Sequence, residues 1–129
     1  MKNRLSEWKQ DGHLEKALYK ILNGIKEEFD LDEEILAKIL HRPNQVVHDW
    51  FQKQEVNVSA SNYTAEDLEV FALIELYDTL TSYFVSNVDQ KKWLKTKHYF
   101  FNNESPIDYM IKSQGRISEV SKYLETKIP

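Results

Sequence analysis

The chain has no cysteine and only three glycines and three prolines among its 129 residues. Without cysteine it forms no disulfide and offers no thiolate nucleophile or cysteine-ligated metal site. Glycine and proline are well below their usual combined share of about 12%, so few residues interrupt helices. No apolar run approaches the roughly 20 residues that a membrane-spanning helix needs, and the first residues lead into no hydrophobic signal core. We therefore expect an all-α, cytoplasmic protein without membrane contact.

An excess of positive charge is also missing. The net charge is −4; nine basic and eleven acidic residues occur through position 64, and eight basic and ten acidic residues follow. Binding of nucleic acid by bulk electrostatics requires a positive surface. Neither half of the chain is therefore a basic DNA-binding arm.

Apolar residues at helical spacing predict a first helix over about residues 13 to 29. A second helix is expected to begin after Asp32, whose side chain can cap it, with Leu31 and Leu36 placed as a hydrophobic staple. After a break at residues 41–44, apolar residues resume on a third, short helix. These three helices would form an N-terminal bundle.

The second and third predicted helices resemble a helix-turn-helix. Ala37 is the small residue at their crossing, and Leu40, Val47 and Trp50 would set the angle between them. Asparagine and glutamine can pair with adenine, and basic residues can contact guanine or phosphate. The candidate DNA-binding residues are Arg42, Asn44, Gln45, His48, Gln52 and Lys53. The alternative is an ordinary helical hairpin whose polar residues are simply its solvated side.

A polar stretch at 55–63 reads as a linker, and Thr64 and Asp67 then match a capping box for the longest helix, about 65 to 86. Apolar residues cover more than half of its circumference, so we expect a central helix packed on several sides. The alternative is that one of its faces is a dimer interface. The predicted domains are 1–58, the helix-turn-helix-like region, and 64–129, the long helix with a small C-terminal helical lobe.

An ordered set of motifs occupies the last third of the chain. Trp93-Leu94 precedes an aromatic run at 99–101, and Ser105-Pro106 matches a capped helix start with proline at the first position. Gly115 reads as a left-handed helix stop. Apolar residues at helical spacing, ending in Val120 and Leu124, predict one more short helix.

This order of motifs resembles the toxin-binding domain of the Xre/MbcA/ParS antitoxin family, most densely over residues 88–128. The resemblance implies an antitoxin of a type II toxin–antitoxin pair, with a RES-domain toxin (NAD-consuming or ADP-ribosylating) as its partner. It further implies autoregulation of the operon through operator DNA, bound by the complex, and a homodimer. Because NAD belongs to the partner's chemistry, no cofactor is expected here. We place the toxin-binding surface on Tyr109, Lys112, Arg116, Glu119, Tyr123 and Lys127.

Two other classes of function stay open. One is a stand-alone helix-turn-helix transcriptional regulator, and the other is a non-catalytic helical adaptor without DNA binding. An enzyme is not expected, because the four histidines match no HExxH spacing and no glycine-rich phosphate loop occurs. Six acidic residues between positions 27 and 34 are interpreted as a solvated surface that compensates helix dipoles, and no metal site is expected.

Overall fold

A computed structural model describes residues 13–58 and 64–127. These residues form seven α-helices and a short 3-10 helix, with no strand and one isolated β-bridge between His98 and Glu104. The helices are α1 (His13–Glu28), α2 (Glu33–Leu40), α3 (Asn44–Lys53), α4 (Ala65–Tyr83), α5 (Asn87–Lys95), the 3-10 helix η1 (Tyr99–Phe101), α6 (Pro106–Lys112) and α7 (Arg116–Glu125). The predicted all-α fold is confirmed. No helix in the described ranges is both long enough and apolar enough to cross a membrane.

Local capping explains where α2 begins and ends. The carboxylate of Asp32 accepts a hydrogen bond of 2.7 Å from the Ile35 amide, and Leu31 and Leu36 are both buried beside it. This matches the predicted cap and staple. At the other end His41 adopts the left-handed conformation with φ 57°, so it takes the position that glycine usually occupies.

The long helix α4 begins as predicted but ends earlier. Thr64 and Asp67 form both hydrogen bonds of the capping box. The helix ends at Tyr83 rather than near 86, because Ser86 accepts hydrogen bonds from two amides of the next helix and so starts α5. Val85, which the apolar pattern assigned to the long helix, lies between the two helices and is fully exposed.

The predicted linker at 55–63 is wrong for its first residues. Val56 is fully buried, and its amide donates a hydrogen bond of 3.0 Å to the carbonyl of Glu15. Val58 is half-buried against the same core. Residues 59–63, the first dozen residues with Trp8, and the last two residues lie outside the described part of the chain.

The core is continuous from α1 to α7. Helix α4 packs most extensively against α7 and also contacts α1, α2 and α5, as expected for a central helix. Its buried apolar residues are Val70, Leu73, Leu76 and Leu80. The turn after α2 is tied to α6, because Nε2 of His41 lies 2.9 Å from the carbonyl oxygen of Met110, which accepts the hydrogen bond. The two predicted regions therefore share one core.

Candidate functional site

Helices α6 and α7 are positioned by a cap and by a buried carboxylate. The Ser105 hydroxyl accepts a hydrogen bond of 3.1 Å from the Asp108 amide, and Pro106 is the first helical residue, as predicted. Gly115 has φ 91°, but it is the residue before α7 rather than the stop of α6, which ends at Lys112 with Ser113 as its C-cap. The Gly115 amide donates a 2.9 Å hydrogen bond to the carboxylate of Glu69 on α4. Helix α4 thus determines where α7 starts.

One side of this helix pair is buried against the rest of the protein. Ile117, Val120 and Leu124 of α7 are each about 1% exposed or less. Pro106 and Met110 of α6 also lie in the interior. Met110 therefore contributes to the core and is not available at the surface.

The opposite side forms a groove of about 540 Å³ between η1, α6 and α7. Its apolar walls are aromatic: the Phe100 ring stacks on the Tyr123 ring with centroids 4.2 Å apart, and Tyr109 completes the lining. Phe101, which is fully buried, contacts both tyrosine rings from below. The polar rim consists of Glu119, Lys122, Thr126 and Lys127. We call this feature the aromatic groove.

Charged groups hold the aromatic rings of the groove. The Tyr109 hydroxyl donates a 3.3 Å hydrogen bond to Glu119. The Arg116 guanidinium carbon lies 4.1 Å from the Tyr109 ring centroid, within the range of a cation–π contact. Burial raises the pKa of Tyr109, and the charge of Glu119 raises it further, whereas Arg116 lowers it. Tyr109 is therefore a neutral hydrogen-bond donor at physiological pH.

The structure brings four of the six predicted toxin-binding residues together. Tyr109, Glu119, Tyr123 and Lys127 line the aromatic groove. The other two do not line it: Arg116 packs on Tyr109, and Lys112 forms an ion pair with Glu104.

Sequence reasoning missed three groove residues, Phe100, Lys122 and Thr126. The aromatic run at 99–101 could have indicated that Phe100 is exposed, because three consecutive aromatic residues on a short turn cannot all point inward. Only Phe101 does, while Phe100 is 59% and Tyr99 is 90% exposed.

Helices α2 and α3 contact each other. The four residues predicted for their crossing, Ala37, Leu40, Val47 and Trp50, are all buried in the core. A pair of packed helices with this turn is compatible with a helix-turn-helix and with a plain helical hairpin.

The candidate DNA-binding side chains lie on the outer side of this pair, mixed with acidic groups. Asn44, Gln45, His48, Gln52 and Lys53 are exposed, whereas Arg42 is half-buried. Gln45 donates to the Asp49 carboxylate at 2.9 Å, and Nδ1 of His48 lies 2.9 Å from the Glu33 carboxylate. Arg42 stacks over Trp50, with 5.4 Å from its guanidinium carbon to the ring centroid. Three of the six side chains are thus engaged within the protein.

Comparisons with known proteins assign no relative to the chain: no family model matches it, and no curated protein does. Within the described ranges no three histidine, aspartate or glutamate side chains are arranged to hold a metal ion. The geometry of the site is that of an aromatic groove with a polar rim.

Proposed function

We propose that the chain is an antitoxin that binds and neutralises a RES-type, NAD-consuming or ADP-ribosylating toxin through the aromatic groove. The observation that carries the proposal is the convergence of Tyr109, Glu119 and Tyr123, from two separate helices, on one open groove. Aromatic residues contribute much of the binding energy of protein interfaces. Here Phe100 is 59% exposed and Tyr109 and Tyr123 are half-buried along the groove, so part of each ring is accessible to a partner.

The groove has the features of a surface for a protein partner. Its aromatic walls are held rigid by ring stacking and by the buried Phe101, so little side-chain freedom is lost on binding. An apolar centre with a polar rim is the usual composition of an interface. In this proposal the chain neutralises the toxin by binding to it, and it supplies no catalytic group of its own.

We further propose that the complex represses its own operon through α2 and α3. Support comes from the buried contacts between these helices and from the exposed Asn44, Gln45 and Gln52 on their outer side. Glu33, Glu34 and Asp49 lie beside these residues, and negative charge weakens contact with phosphate. Operator binding therefore requires the complex, which presents several such helices at once.

Co-expression with the protein encoded by the adjacent gene tests toxin binding, and two neighbouring aromatic residues supply a matched pair of variants. Phe100→Ala removes a wall of the groove, so we expect at least a tenfold weaker complex, about 1.4 kcal/mol or more. Tyr99→Ala removes a more exposed aromatic ring outside the groove, so affinity should change less than twofold. Titration calorimetry of the purified proteins measures both.

Two results would contradict the toxin-binding proposal. The first is a neighbour that is toxic alone and remains equally toxic when the wild-type chain is co-expressed. The second is equal affinity of the two alanine variants. Operator binding is tested separately by mobility shift on the upstream DNA, and a fragment that is shifted neither by the chain nor by the complex would refute the repressor role.

A further inference from the structure

The charges around the aromatic groove are opposite in sign to the net charge of the chain. The chain carries a net charge of −4, yet the rim of the groove carries Lys122 and Lys127 against the carboxylate of Glu119. Arg116, which packs on the Tyr109 ring, adds a further positive charge beside the groove. The groove is therefore a positively charged surface on an acidic protein.

The acidic and the basic groups of the rim differ in how far they are already engaged. Glu119 accepts a 3.3 Å hydrogen bond from the Tyr109 hydroxyl. Lys122 and Lys127 are exposed, and within the part of the chain that the structure describes neither forms an ion pair. Both ammonium groups are therefore available to a carboxylate from another molecule.

The aromatic walls of the groove do not favour a basic partner. The face of an aromatic ring can bind a cation from outside, but here cations of the same chain already lie over both tyrosine rings. The Arg116 guanidinium carbon is 4.1 Å from the Tyr109 ring centroid, and Nζ of Lys127 is 5.1 Å from that of Tyr123. A second cation would meet like charge at either ring. The groove therefore favours apolar and acidic groups over basic ones.

We propose that the aromatic groove binds a segment of the toxin in which an apolar side chain lies next to an aspartate or glutamate. The apolar side chain packs on the stacked rings of Phe100 and Tyr123, and the neighbouring carboxylate pairs with Lys122 and Lys127. Apolar contact at the centre of an interface and complementary charge at its rim together give specificity. This inference rests on the proposed function, since it describes the part of the toxin that the antitoxin binds.

Charge reversal at the rim tests the inference in the complex with the protein encoded by the adjacent gene. Lys122→Glu combined with Lys127→Glu places two carboxylates opposite the acidic segment, so we expect affinity to fall at least about tenfold. Titration calorimetry measures the affinity, and thermal melts followed by circular dichroism verify that the variant is folded.

The matched control is Lys92→Glu combined with Lys95→Glu. These lysines are exposed in the last turn of α5 and do not line the groove. Lysines at a helix C-terminus also compensate the helix dipole, and this control reproduces that effect together with the same change in net charge. The affinity of the control variant should change less than about twofold.

The salt dependence of binding provides a second measurement. The affinity of the wild type should decrease between about 0.05 M and 0.5 M NaCl, because ion pairs on an exposed rim are screened. The neutral variant Lys122→Gln combined with Lys127→Gln should show a weaker salt dependence, since it has no rim cations to be screened.

Two synthetic peptides test the groove without the toxin. Both contain a central Leu-Trp, which is flanked by aspartate and glutamate in one peptide and by lysine in the other. In titrations followed by NMR of the amide groups, the acidic peptide should shift the signals of Phe100, Lys122 and Tyr123 at a lower concentration than the basic peptide. The charge-reversed rim variant should lose this preference.

Three results would overturn the inference. The first is a complex that Phe100→Ala weakens but that charge reversal at the rim leaves intact, which would preserve toxin binding and exclude an acidic segment. The second is an equal loss of affinity in the rim variant and in the control variant. The third is a basic peptide that binds as well as the acidic one. A neighbour that does not bind the wild-type chain refutes the proposed function instead, and the peptides then decide the preference of the groove.

Discussion

At the scale of single residues, the contact between Tyr77 and Glu28 joins α4 to the end of α1. A hydrogen bond to the Glu28 carboxylate raises the pKa of Tyr77 from 10.0 to about 12, with burial adding to the effect. The Tyr77 ring also packs against buried Phe29, with centroids 5.8 Å apart. Only the protonated hydroxyl can donate this bond, so the contact depends on pH.

The sign of that dependence follows from linkage. Because the pKa is higher in the folded state, the stabilisation is fully present below about pH 10 and is lost as the pH rises towards 12. We therefore expect the free energy of unfolding of the wild type to fall more steeply between pH 10 and pH 12 than that of Tyr77→Phe. At pH 8 the variant should be less stable by about 1 kcal/mol. Urea denaturation across this pH range measures both effects.

Tyr99→Phe is the control for this prediction. Tyr99 is 90% exposed, so removal of its hydroxyl should leave the pH profile of the wild type unchanged. A Tyr77→Phe profile that coincides with the wild type between pH 10 and pH 12 would show that the Glu28 contact contributes nothing.

At the scale of elements, the sequence predicted helix starts better than helix ends. The caps at Asp32, Thr64 and Ser105 all form as expected, because a cap involves residues only three positions apart. The end of α4 was placed too late, because an apolar side chain at Val85 looks the same in sequence whether it is buried or exposed. The role of Gly115 was misplaced because its amide bonds to Glu69, a contact that sequence spacing does not reveal.

Two glycines provide a matched test at this scale. An added Cβ at Gly24 or at Gly115 would meet nothing within 4 Å, so only the backbone conformation distinguishes them. Gly115→Ala must hold φ near 91°, which should cost about 1–2 kcal/mol. Gly24→Ala, in the interior of α1, should stabilise the protein by about 0.5–1 kcal/mol. Thermal or urea unfolding measures the change in stability of both variants. Equal effects of the same sign would refute the assignment of Gly115 to a left-handed backbone conformation.

At the scale of the whole molecule, the two regions that the sequence separated share a single core. The turn after α2 bonds to α6 through His41 and Met110, and α4 contacts helices from both regions. Neither half can therefore unfold without exposing apolar surface of the other.

We expect one cooperative unfolding transition. Trp50, buried on α3, reports on the N-terminal half, and half-buried Trp93 reports on the C-terminal half. In Trp93→Phe and Trp50→Phe variants that also carry Trp8→Phe, the urea midpoint from tryptophan fluorescence should equal the midpoint from circular dichroism of the same variant. Separate midpoints within either variant would mean that the halves unfold independently.

The sequence alone determined the helical class and the three side-chain caps, because periodicity and capping act within a turn or two of the chain. It also supplied four of the groove residues, through a motif whose members are close in sequence. Only the tertiary structure decided that Phe100 completes the aromatic groove and that Met110 is internal. Those outcomes depend on how α6 and α7 pack against α4, since packing between distant segments determines which face of each helix meets solvent.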